Sequence, residues 1–286
     1  MGLLLLLLVL VILLSATWLG ARIYGAGRWQ ADTQALNARL AASQQPVRPQ
    51  WVQLEETSGL PDPVQRFLRK TLQAGRPMVV RVQMRHEGLF NLGQTTDQWR
   101  PFTSEQQVLT QQPGFVWNGR VTVLPGLPVW VHDAFLAGEG RLHASLLGLW
   151  PLADLQGTEA IAAGQLLRFF AEAAWYPTAL LPSQGVTWVA VNDHTALGTL
   201  TSGALSASLV FTFNEQNLIE QVYAAARGRT VGNDLVPTPW SGRFWNYTHQ
   251  GGMFIPLEGE VAWLLPEGVK PYWKGRVTDI VYEFAP

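Results

Sequence analysis

Two carboxylates in the C-terminal part of the chain have a spacing that could do chemistry. Glu258 and Glu260 are two positions apart, so a strand would set both on one face, roughly 7 Å from each other. Paired carboxylates can act as general acid and general base, and Arg243 could supply a countercharge. The same spacing suits ion pairs with Arg243, Lys274 or Arg276 on an exposed sheet face. The structural interpretation is favoured, because such pairs are common on sheet surfaces.

His132 and Asp133 form a second candidate group. Neighbouring residues of a strand point to opposite faces, so these two cannot form a dyad with each other and each needs a distant partner. His86 continues the apolar face of a predicted strand, which favours a buried histidine over a catalytic base. The five histidines have no spacing that would make local metal ligands, and the chain has no cysteine. We therefore expect neither a metal nor a cofactor.

The sequence lacks the motifs of the common enzyme classes. It contains no GxSxG, no HExxH, no Walker loop, no EF-hand loop and no complete GxGxxG. With 20 basic and 21 acidic residues the formal net charge is −1, which gives no basic excess for binding nucleic acid. A non-catalytic protein is therefore favoured. The alternative is an enzyme of unknown reaction, a hydrolase or isomerase, that uses Glu258, Glu260, Arg243 and His132.

The body of the chain has the pattern of an antiparallel β protein. Its 48% apolar content indicates a folded core, and from residue 78 onward apolar and polar residues alternate. The clearest hairpin has a first strand over 205–213, a turn over 214–217 and a return over 218–224. One-sided alternation of this kind is typical of a sheet with one buried face. We predict roughly ten to twelve strands from such segments.

Residues 158–175 break this alternation and predict a helix that begins after a Thr158 cap. Gln165, Arg168 and Glu172 form its polar stripe, with Arg168 and Glu172 spaced as an ion pair. Gln165 is therefore expected to behave as a surface residue. The rest of the helix is apolar, and such a helix must be enclosed. The predicted fold is α+β and mostly β, with a strongly curved antiparallel sheet or half-barrel wrapping this helix.

The N-terminal segment predicts a membrane anchor. Residues 2–21 carry no charge and match the ~20 apolar residues of a spanning helix. No basic residue precedes them, which favours an uncleaved anchor over a signal peptide, although residues 19–21 resemble a cleavage site. Arg22 and Arg28 follow the apolar run, and two charges leave the side of the membrane open. The protein is thus expected to cross a membrane once.

Three parts follow from composition along the chain. Residues 1–24 are predicted to form the transmembrane anchor, residues 25–58 a stalk or linker, and residues 59–286 a single β-rich globular domain. The middle part is rich in Ala, Gln, Ser and Pro, with one helical stretch near residues 33–42.

The aromatic content suggests a cavity. The chain has 13 tryptophans, and a curved sheet over an apolar helix often leaves space between the two. A non-catalytic module that holds a lipid-like or other apolar ligand near the bilayer is the favoured function. A structural scaffold for an envelope or membrane partner is a further alternative. The candidate ligand-binding residues are Trp117, Trp130, Phe169, Phe170, Trp175, Trp188 and Trp245.

Six runs of the sequence are specific enough to suggest a family: LPDPVQR at 60–66, WRPFT at 99–103, PGFVW at 113–117, AWYPTALLPS at 174–183, TPWSGRFW at 238–245 and IPLEGEVAWLLPE at 255–267. They resemble an uncharacterised bacterial family known only as a domain of unknown function, of the 6544/6920 type. The likeness extends from about Leu54 to Glu283, and the family supplies no activity or catalytic residues to transfer. The predicted shape also resembles the half-barrel of periplasmic lipoprotein carriers, which is a likeness of fold and does not fix function.

Overall fold

Thirteen strands form one antiparallel sheet in the computed structural model, which describes residues 2–47, 50–93, 95–232 and 234–286. Three α-helices accompany the sheet: α1 (Gly2–Ser43), α2 (Asp62–Thr71) and α3 (Glu159–Ala171). The strands are β1 (Val79–Asn91), β2 (Trp99–Leu109), β3 (Gly114–Leu124), β4 (Leu127–Leu136), β5 (Glu139–Leu146), β6 (Trp150–Gln156), β7 (Val186–Asn192), β8 (Thr195–Ser202), β9 (Leu205–Phe213), β10 (Ile219–Val231), β11 (Asp234–Gln250), β12 (Met253–Leu265) and β13 (Gly268–Phe284).

The strand order divides the sheet into two meanders. Strands β1 to β6 follow one another across one half, β7 to β13 follow one another across the other, and β1 pairs with β13 where the halves meet. Strands β6 and β7 are therefore the two edges, and α3 links them along the chain. The helix must cross the sheet to make this connection.

Contacts of α3 show that the sheet is strongly curved. The helix touches both β5 and β9, which are nine strand-to-strand steps apart in the sheet order. In a flat sheet with ~4.8 Å between strands these two would lie about 43 Å apart, far beyond the reach of a helix about 10 Å wide. The sheet therefore curls around α3, as the sequence predicts. We call the face toward α3 concave and the opposite face convex.

Two glycines let α3 approach the strands closely. A Cβ at Gly140 in β5 would lie 2.8 Å from the Ala162 backbone, and a Cβ at Gly198 in β8 would lie 2.9 Å from the Phe170 ring. A Cβ atom does not approach other heavy atoms this closely, so any side chain at either position would push the helix or the Phe170 ring away.

The predicted helix is confirmed, with one correction. Thr158 caps α3, since its Oγ1 accepts from the Ile161 N–H at 3.3 Å, and a 3₁₀ turn continues α3 from Glu172 to Trp175. The expectation that Gln165 is a surface residue is wrong: its side chain is buried and its Nε2 donates to Asp133 of β4. The polar stripe faces polar strand residues, which helical periodicity cannot distinguish from solvent.

The predicted hairpin over 205–224 is also confirmed. Strand β9 has the predicted bounds and pairs with β10, which continues beyond the expected end to Val231. Ala207, Leu209 and Phe211 are buried, while Ser206 and Ser208 are exposed, so the alternation reports the concave face correctly.

Helix α1 occupies much of the segment expected to be a stalk. It runs without interruption over 42 residues, and its first half is exposed. It is long and apolar enough to cross a membrane, a property that signal sequences share. Buried residues at Gly25, Trp29, Leu36 and Leu40 form a stripe that packs on the convex face of β3 and β4. The helix is thus joined directly to the sheet, without a flexible segment between apolar run and body.

The two ends of the curved sheet differ. We call "base" the end that carries the hairpins β1–β2, β3–β4, β5–β6, β8–β9, β10–β11 and β12–β13, and "top" the other end. Helix α2 covers the top: the Phe67 and Phe213 rings are 5.5 Å apart, and Arg66 Nε donates to Asn217 Oδ1 in the β9–β10 turn at 2.8 Å.

Candidate functional site

A cavity of about 260 Å³ lies between α3 and the concave face of the sheet. Its walls come from both halves of the sheet and from the side of α3 that carries Gly164 and Arg168. It reaches the surface at the base beside the β10–β11 hairpin, where the lining residues Thr230 and Leu235 are exposed, and at the start of α3, where the lining residue Ala160 is exposed. The aromatic residues that line it are Phe90, Trp117, Trp175, Trp240, Phe244, Trp263, Tyr272 and Trp273.

A repeated Trp-x-Gly pattern builds the floor of this cavity. Trp117, Trp240 and Trp273 each precede a glycine by two positions, on β3, β11 and β13. Residues i and i+2 share a strand face, so each indole can lie over the bare backbone of its glycine. A Cβ at Gly119 would be 2.1 Å from the Trp117 ring, and one at Gly275 would be 2.4 Å from the Trp273 ring. The glycines therefore keep these indoles flat against the sheet.

A cluster of charged and amide side chains forms one wall. Arg168 of α3 pairs with Asp133 of β4, and its Nε donates to Glu172 Oε1 at 2.7 Å. Gln106 Nε2 donates to Glu172 Oε2 at 2.7 Å, and Gln165 donates to Asp133. One arginine against two carboxylates leaves a formal charge of −1. The cluster fastens α3 to β2 and β4 through long-range pairs.

Electrostatics keep this arginine charged. Burial alone would lower the pKa of Arg168, but Glu172 and Asp133 outweigh that effect and hold the pKa above its ordinary value. The guanidinium carbon also lies 5.0 Å from the Phe115 ring centroid and 5.2 Å from that of Trp117. These contacts favour the cation without exposing it to water.

His86 lies next to the cluster and is neutral at physiological pH. Burial, with a smaller effect of Arg168, lowers its pKa to about 3. Ser104 Oγ is 3.3 Å from Nδ1, and the ring packs against Trp175 and Trp273. Within the described part of the chain, His86 Nε2 has no hydrogen-bond partner, and neither has Trp175 Nε1. The cavity wall therefore carries buried polar atoms of which several are unpaired.

Arg227 contributes a second cation where the cavity opens. Its guanidinium carbon is 4.8 Å from the Trp240 ring centroid and 6.0 Å from that of Trp263. Among the described residues no carboxylate oxygen lies within 4.0 Å of it, while Tyr272 Oη is 3.4 Å from Nη1. The base end of the cavity thus combines a positive charge with aromatic faces.

Of the seven ligand-binding residues expected from sequence, Trp117 and Trp175 line the cavity. Phe170 and Trp188 are packed in the core with Phe211, at ring distances of 5.2 and 5.0 Å from it. Phe169 is also a core residue, and its ring is tilted against that of Tyr176 with the ring centroids 5.4 Å apart.

The remaining two lie on the convex face. Trp130 is 6.1 Å from the ring of Trp29 in α1, and Trp245 is 40% exposed and donates through Nε1 to Glu258. Both have the opposite strand parity from the aromatic residues of their own strands or of the neighbouring strand that line the cavity, Trp117 on β3 and Trp240 and Phe244 on β11.

The structure does not bring all four residues of the enzyme hypothesis together: Arg243 and Glu260 are among the residues that line the cavity, whereas Glu258 and His132 are not. Glu260 pairs with Lys274 at 2.9 Å on β12 and β13, and Glu258 accepts from Trp245 and Asn246. Arg243 stands opposite Glu260 in the register of β11 and β12, and its side chain is exposed. His132 belongs to distant β4, so no common pocket contains all four.

His132 is a contact between the sheet and α1. Its Nε2 is 2.7 Å from Thr33 Oγ1, and its ring stacks on Trp29 at 3.9 Å. Burial, followed by Arg141 and His143, lowers its pKa to about 3. Asp133, its neighbour, points to α3 instead, which confirms that the two residues face opposite ways.

Sequence reasoning missed Asp133 as a partner of the α3 stripe, and it missed Trp240, Trp263 and Trp273. The Trp-x-Gly spacing on three strands is a signal that could have found two of these tryptophans. No signal in a single sequence joins Asp133 to Arg168, which are 35 positions apart. Among the described residues, no three His, Asp or Glu side chains are grouped as metal ligands.

Comparison with known proteins places the chain in a family. The model of a family of unknown function, DUF6920, matches residues 58–282. The chain belongs to this family. The DUF6920 match starts just before α2 and covers the sheet, α3 and the whole cavity lining, while α1 lies outside it. No curated protein matches the sequence.

Solved structures similar to this DUF6920 chain share little sequence with it. A LolA superfamily protein from Nitrosomonas europaea is 9% identical, with a TM-score of 0.39 over 78% of this chain and 93% of that one. An outer membrane lipoprotein-sorting protein domain from Vibrio parahaemolyticus is 9% identical, with a TM-score of 0.38 over 71% and 86%. A β-barrel-like DUF1849 protein from Brucella abortus is 11% identical, with a TM-score of 0.21 over 72% and 99%.

Proposed function

We propose that this protein is a non-catalytic, membrane-anchored module that binds one apolar chain of a lipid-like ligand in the cavity under α3. The observation that carries the proposal is the cavity itself, whose floor is made of three indoles held flat by glycines. Sites for small organic ligands typically combine apolar and aromatic walls with a limited number of placed polar groups. Here the indole floor supplies the apolar surface, and the Arg168 cluster supplies one polar wall.

The volume limits the ligand to one chain. A dry cavity of ~150 Å³ binds benzene, and sites for larger organic ligands measure ~300–1,000 Å³. The cavity here, about 260 Å³, falls between these values. A segment of one acyl chain or a similarly slender apolar group fits this space, whereas a complete lipid with two chains does not.

The polar groups support binding rather than catalysis. Asp133 and Glu172, the carboxylates of the α3 cluster, are each paired with Arg168, which supports a structural role for them. Their role is to hold α3 over the sheet and keep the cavity open. Arg227 has no carboxylate partner among the described residues, and it lies where the polar end of an amphiphile would leave the cavity.

The membrane that α1 would enter is the proposed source of the ligand. The exposed apolar half of α1 would lie in the bilayer, and its second half is fixed to β3 and β4. A cavity held this close to lipid can exchange acyl chains with the membrane. The protein would then cross the membrane once.

Acyl-chain photolabelling of the full-length protein tests the proposal. The protein is reconstituted into phosphatidylethanolamine/phosphatidylglycerol vesicles that contain a phospholipid with a diazirine at the end of one acyl chain. Labelled peptides are then mapped by mass spectrometry. Peptides of α1 serve as the internal standard for contact with the bilayer, and we expect labels on α3 and on the cavity strands as well.

A matched pair of variants makes the test specific. Gly164 and Gly27 are both helical glycines with open space around an added Cβ, but only Gly164 lines the cavity. We expect Gly164→Phe to remove most labelling of the cavity peptides and Gly27→Phe to leave it unchanged, with α1 labelled equally in both. Cavity peptides that stay unlabelled in the wild type, beside strongly labelled α1, would refute the proposal.

A further inference from the structure

Exposed apolar side chains are concentrated at one end of the sheet. Outside α1, fourteen large apolar residues of the described chain are exposed, and nine of them lie at or next to the base hairpins. The top and the convex face share the other five. A patch of this kind on a folded domain indicates an interaction surface. The nine are Leu89, Leu92, Leu124, Trp150, Leu152, Val231, Leu235, Val236 and Val269.

Helix α1 leaves the body at this same end. A Cβ at Gly25 would lie 2.0 Å from Leu147 O in the β5–β6 turn, and one at Gly126 in the β3–β4 turn would lie 3.5 Å from Arg22 Nη1. Toward its other end, α1 reaches the top, where Leu40 Cδ1 would be 3.1 Å from a Cβ at Gly114. The apolar half of α1 therefore projects beyond the base.

The distance between the apolar run and the base is short. Only three residues lie between Ala21, the last of the uncharged run, and Gly25. The four steps from Ala21 to Gly25, at ~1.5 Å of rise each, span about 6 Å, which is about the thickness of one lipid headgroup layer. A helix that spans the bilayer thus brings the base hairpins to the membrane surface, because no flexible segment intervenes.

We propose that the base hairpins form a membrane-docking rim, represented by Leu124, Trp150, Val231 and Val269, whose apolar tips enter the headgroup region around α1. Tryptophan is favoured at this depth, and aliphatic side chains gain by leaving water there. Leu235 belongs both to this rim and to the cavity lining, so docking places the opening of the cavity against lipid. The docking itself requires the membrane helix and not the bound ligand.

The alternative occupant of such a surface is a second protein. Continuity with α1 favours the bilayer, because the membrane helix emerges beside the β3–β4 and β5–β6 turns rather than at a distance from them. A protein partner would have to fit into the narrow space between this rim and the membrane.

Spin labelling of the full-length protein tests the inference. The chain has no cysteine, so single cysteines can be introduced without other changes. Leu124→Cys and Val269→Cys report on the rim. Val281→Cys is the matched control for Val269, since it is an exposed valine at the other end of the same strand. Each is labelled with a nitroxide and reconstituted into phosphatidylethanolamine/phosphatidylglycerol vesicles, and collisions with oxygen and with a water-soluble nickel chelate are measured.

The rim labels are expected to collide several-fold more with oxygen than with the nickel chelate, and the label at position 281 to show the reverse. Rim labels that resemble position 281 would overturn the inference, and so would labels protected from both reagents, which would indicate a protein partner. Co-flotation with the vesicles is checked first, so a failed anchor is distinguished from a failed docking. Acyl-chain labelling of the cavity is a separate readout, so loss of the proposed ligand site would not be mistaken for either.

Discussion

Tryptophans on the concave and convex faces of the sheet serve different purposes. On the concave face, Trp117, Trp240 and Trp273 lie over glycines and present flat walls to the cavity. On the convex face, Trp130 packs near α1, and Trp245 is anchored by a hydrogen bond to Glu258. The residue type is the same, so strand parity decides which of these five tryptophans face the cavity, and the glycine two positions later lets Trp117, Trp240 and Trp273 lie flat there.

Charged residues differ between the faces in the same way. The pairs on the convex face, such as Glu260 with Lys274, are partly exposed and connect neighbouring strands. The Asp133–Arg168–Glu172 group on the concave face is largely buried and connects a helix to the sheet. Exposed pairs contribute ~0–1 kcal/mol, whereas breaking a buried pair costs several times more. The energetic contrast between the faces can be measured directly.

The largest effect should follow truncation of Phe170 in the enclosed helix. This ring is fully buried against Phe211 and Trp188, so Phe170→Ala should lower the free energy of unfolding by about 3–5 kcal/mol. Urea denaturation of the full-length protein in micelles measures this. Val191→Ala, at an exposed site on edge strand β7, should change the value by less than ~0.5 kcal/mol. Equal effects of the two variants would contradict enclosure of α3.

The second-largest effect should follow removal of Arg168, the cation that Asp133 and Glu172 share. Arg168→Leu leaves Asp133 and Glu172 without their partner, and we expect a loss of about 3 kcal/mol in the same assay. Arg276→Leu removes the partner of Glu87 on the convex face, where both side chains are about half exposed, and should cost less than ~1 kcal/mol. If Arg276→Leu were as costly as Arg168→Leu, the two faces would not differ in the way described.

Acidification should destabilise the fold through two buried histidines. The folded state holds the pKa of His86 and that of His132 at about 3, against 6.5 in an unfolded chain. Between these values the unfolded state binds more protons, so stability is complete above pH 6.5 and falls as the pH decreases toward 3. Well inside this window, each histidine should lower the free energy of unfolding by about 1.4 kcal/mol for each pH unit of acidification. At pH 5 the total loss from each histidine should be roughly 2 kcal/mol.

One of these histidines lies on each face of the sheet: His86 borders the cavity on the concave face, and His132 lies under α1 on the convex face. Substituting them one at a time therefore measures the contribution of each face to the pH dependence. His86→Gln and His132→Gln should each remove about half of the pH dependence, measured as unfolding free energy at pH 7 and pH 5. An unchanged dependence in either variant would show that the histidine is not the group that titrates.

A smaller effect is expected from the glycines under the indoles. Gly119→Ala places a Cβ where the Trp117 ring lies, so the ring must rise into the cavity. We expect a stability loss of about 1–2 kcal/mol, a change in the near-ultraviolet circular dichroism of tryptophan and weaker acyl-chain labelling. Gly27→Ala on exposed α1 should change none of these signals. A silent Gly119→Ala would mean that the glycine does not shape the cavity.

The fold could be predicted from sequence because its signals are local. The alternation of apolar and polar residues along β9 indicates a strand with one buried face. Helix α3 is apolar on most of its sides, so other elements must cover it in any arrangement of the strands. The uncharged run at the N terminus likewise identifies the helix that could span a membrane. Composition alone did not reveal that α1 continues past residue 24 as one helix, because residues 25–58 are rich in Ala, Gln, Ser and Pro, as linkers are. The buried residues Gly25, Trp29, Leu36 and Leu40 do have the spacing of one helical face.

The site could be predicted only in part, for reasons that lie in packing. Strand β4 is apolar on both faces because α1 covers its convex side, so parity alone did not exclude Trp130 from the cavity. On β11, Phe244 and Trp245 are adjacent aromatic residues on opposite faces. The alternation of apolar and polar residues therefore does not show which of the two faces the cavity. Gln165 seemed solvent-facing because its partner, Asp133, lies on a strand that only the folded chain brings near.

The distribution of acyl-chain label between the two faces tests the central claim most directly. In the photolabelled full-length protein, we compare the label on the residues around Trp117, Trp240 and Trp273 with that on the residues around Trp130 and Trp245. The account predicts that label is concentrated on the first group and falls several-fold there in Gly164→Phe. Equal labelling of both groups, or label confined to α1 and the base hairpins, would contradict a lipid chain held beneath α3.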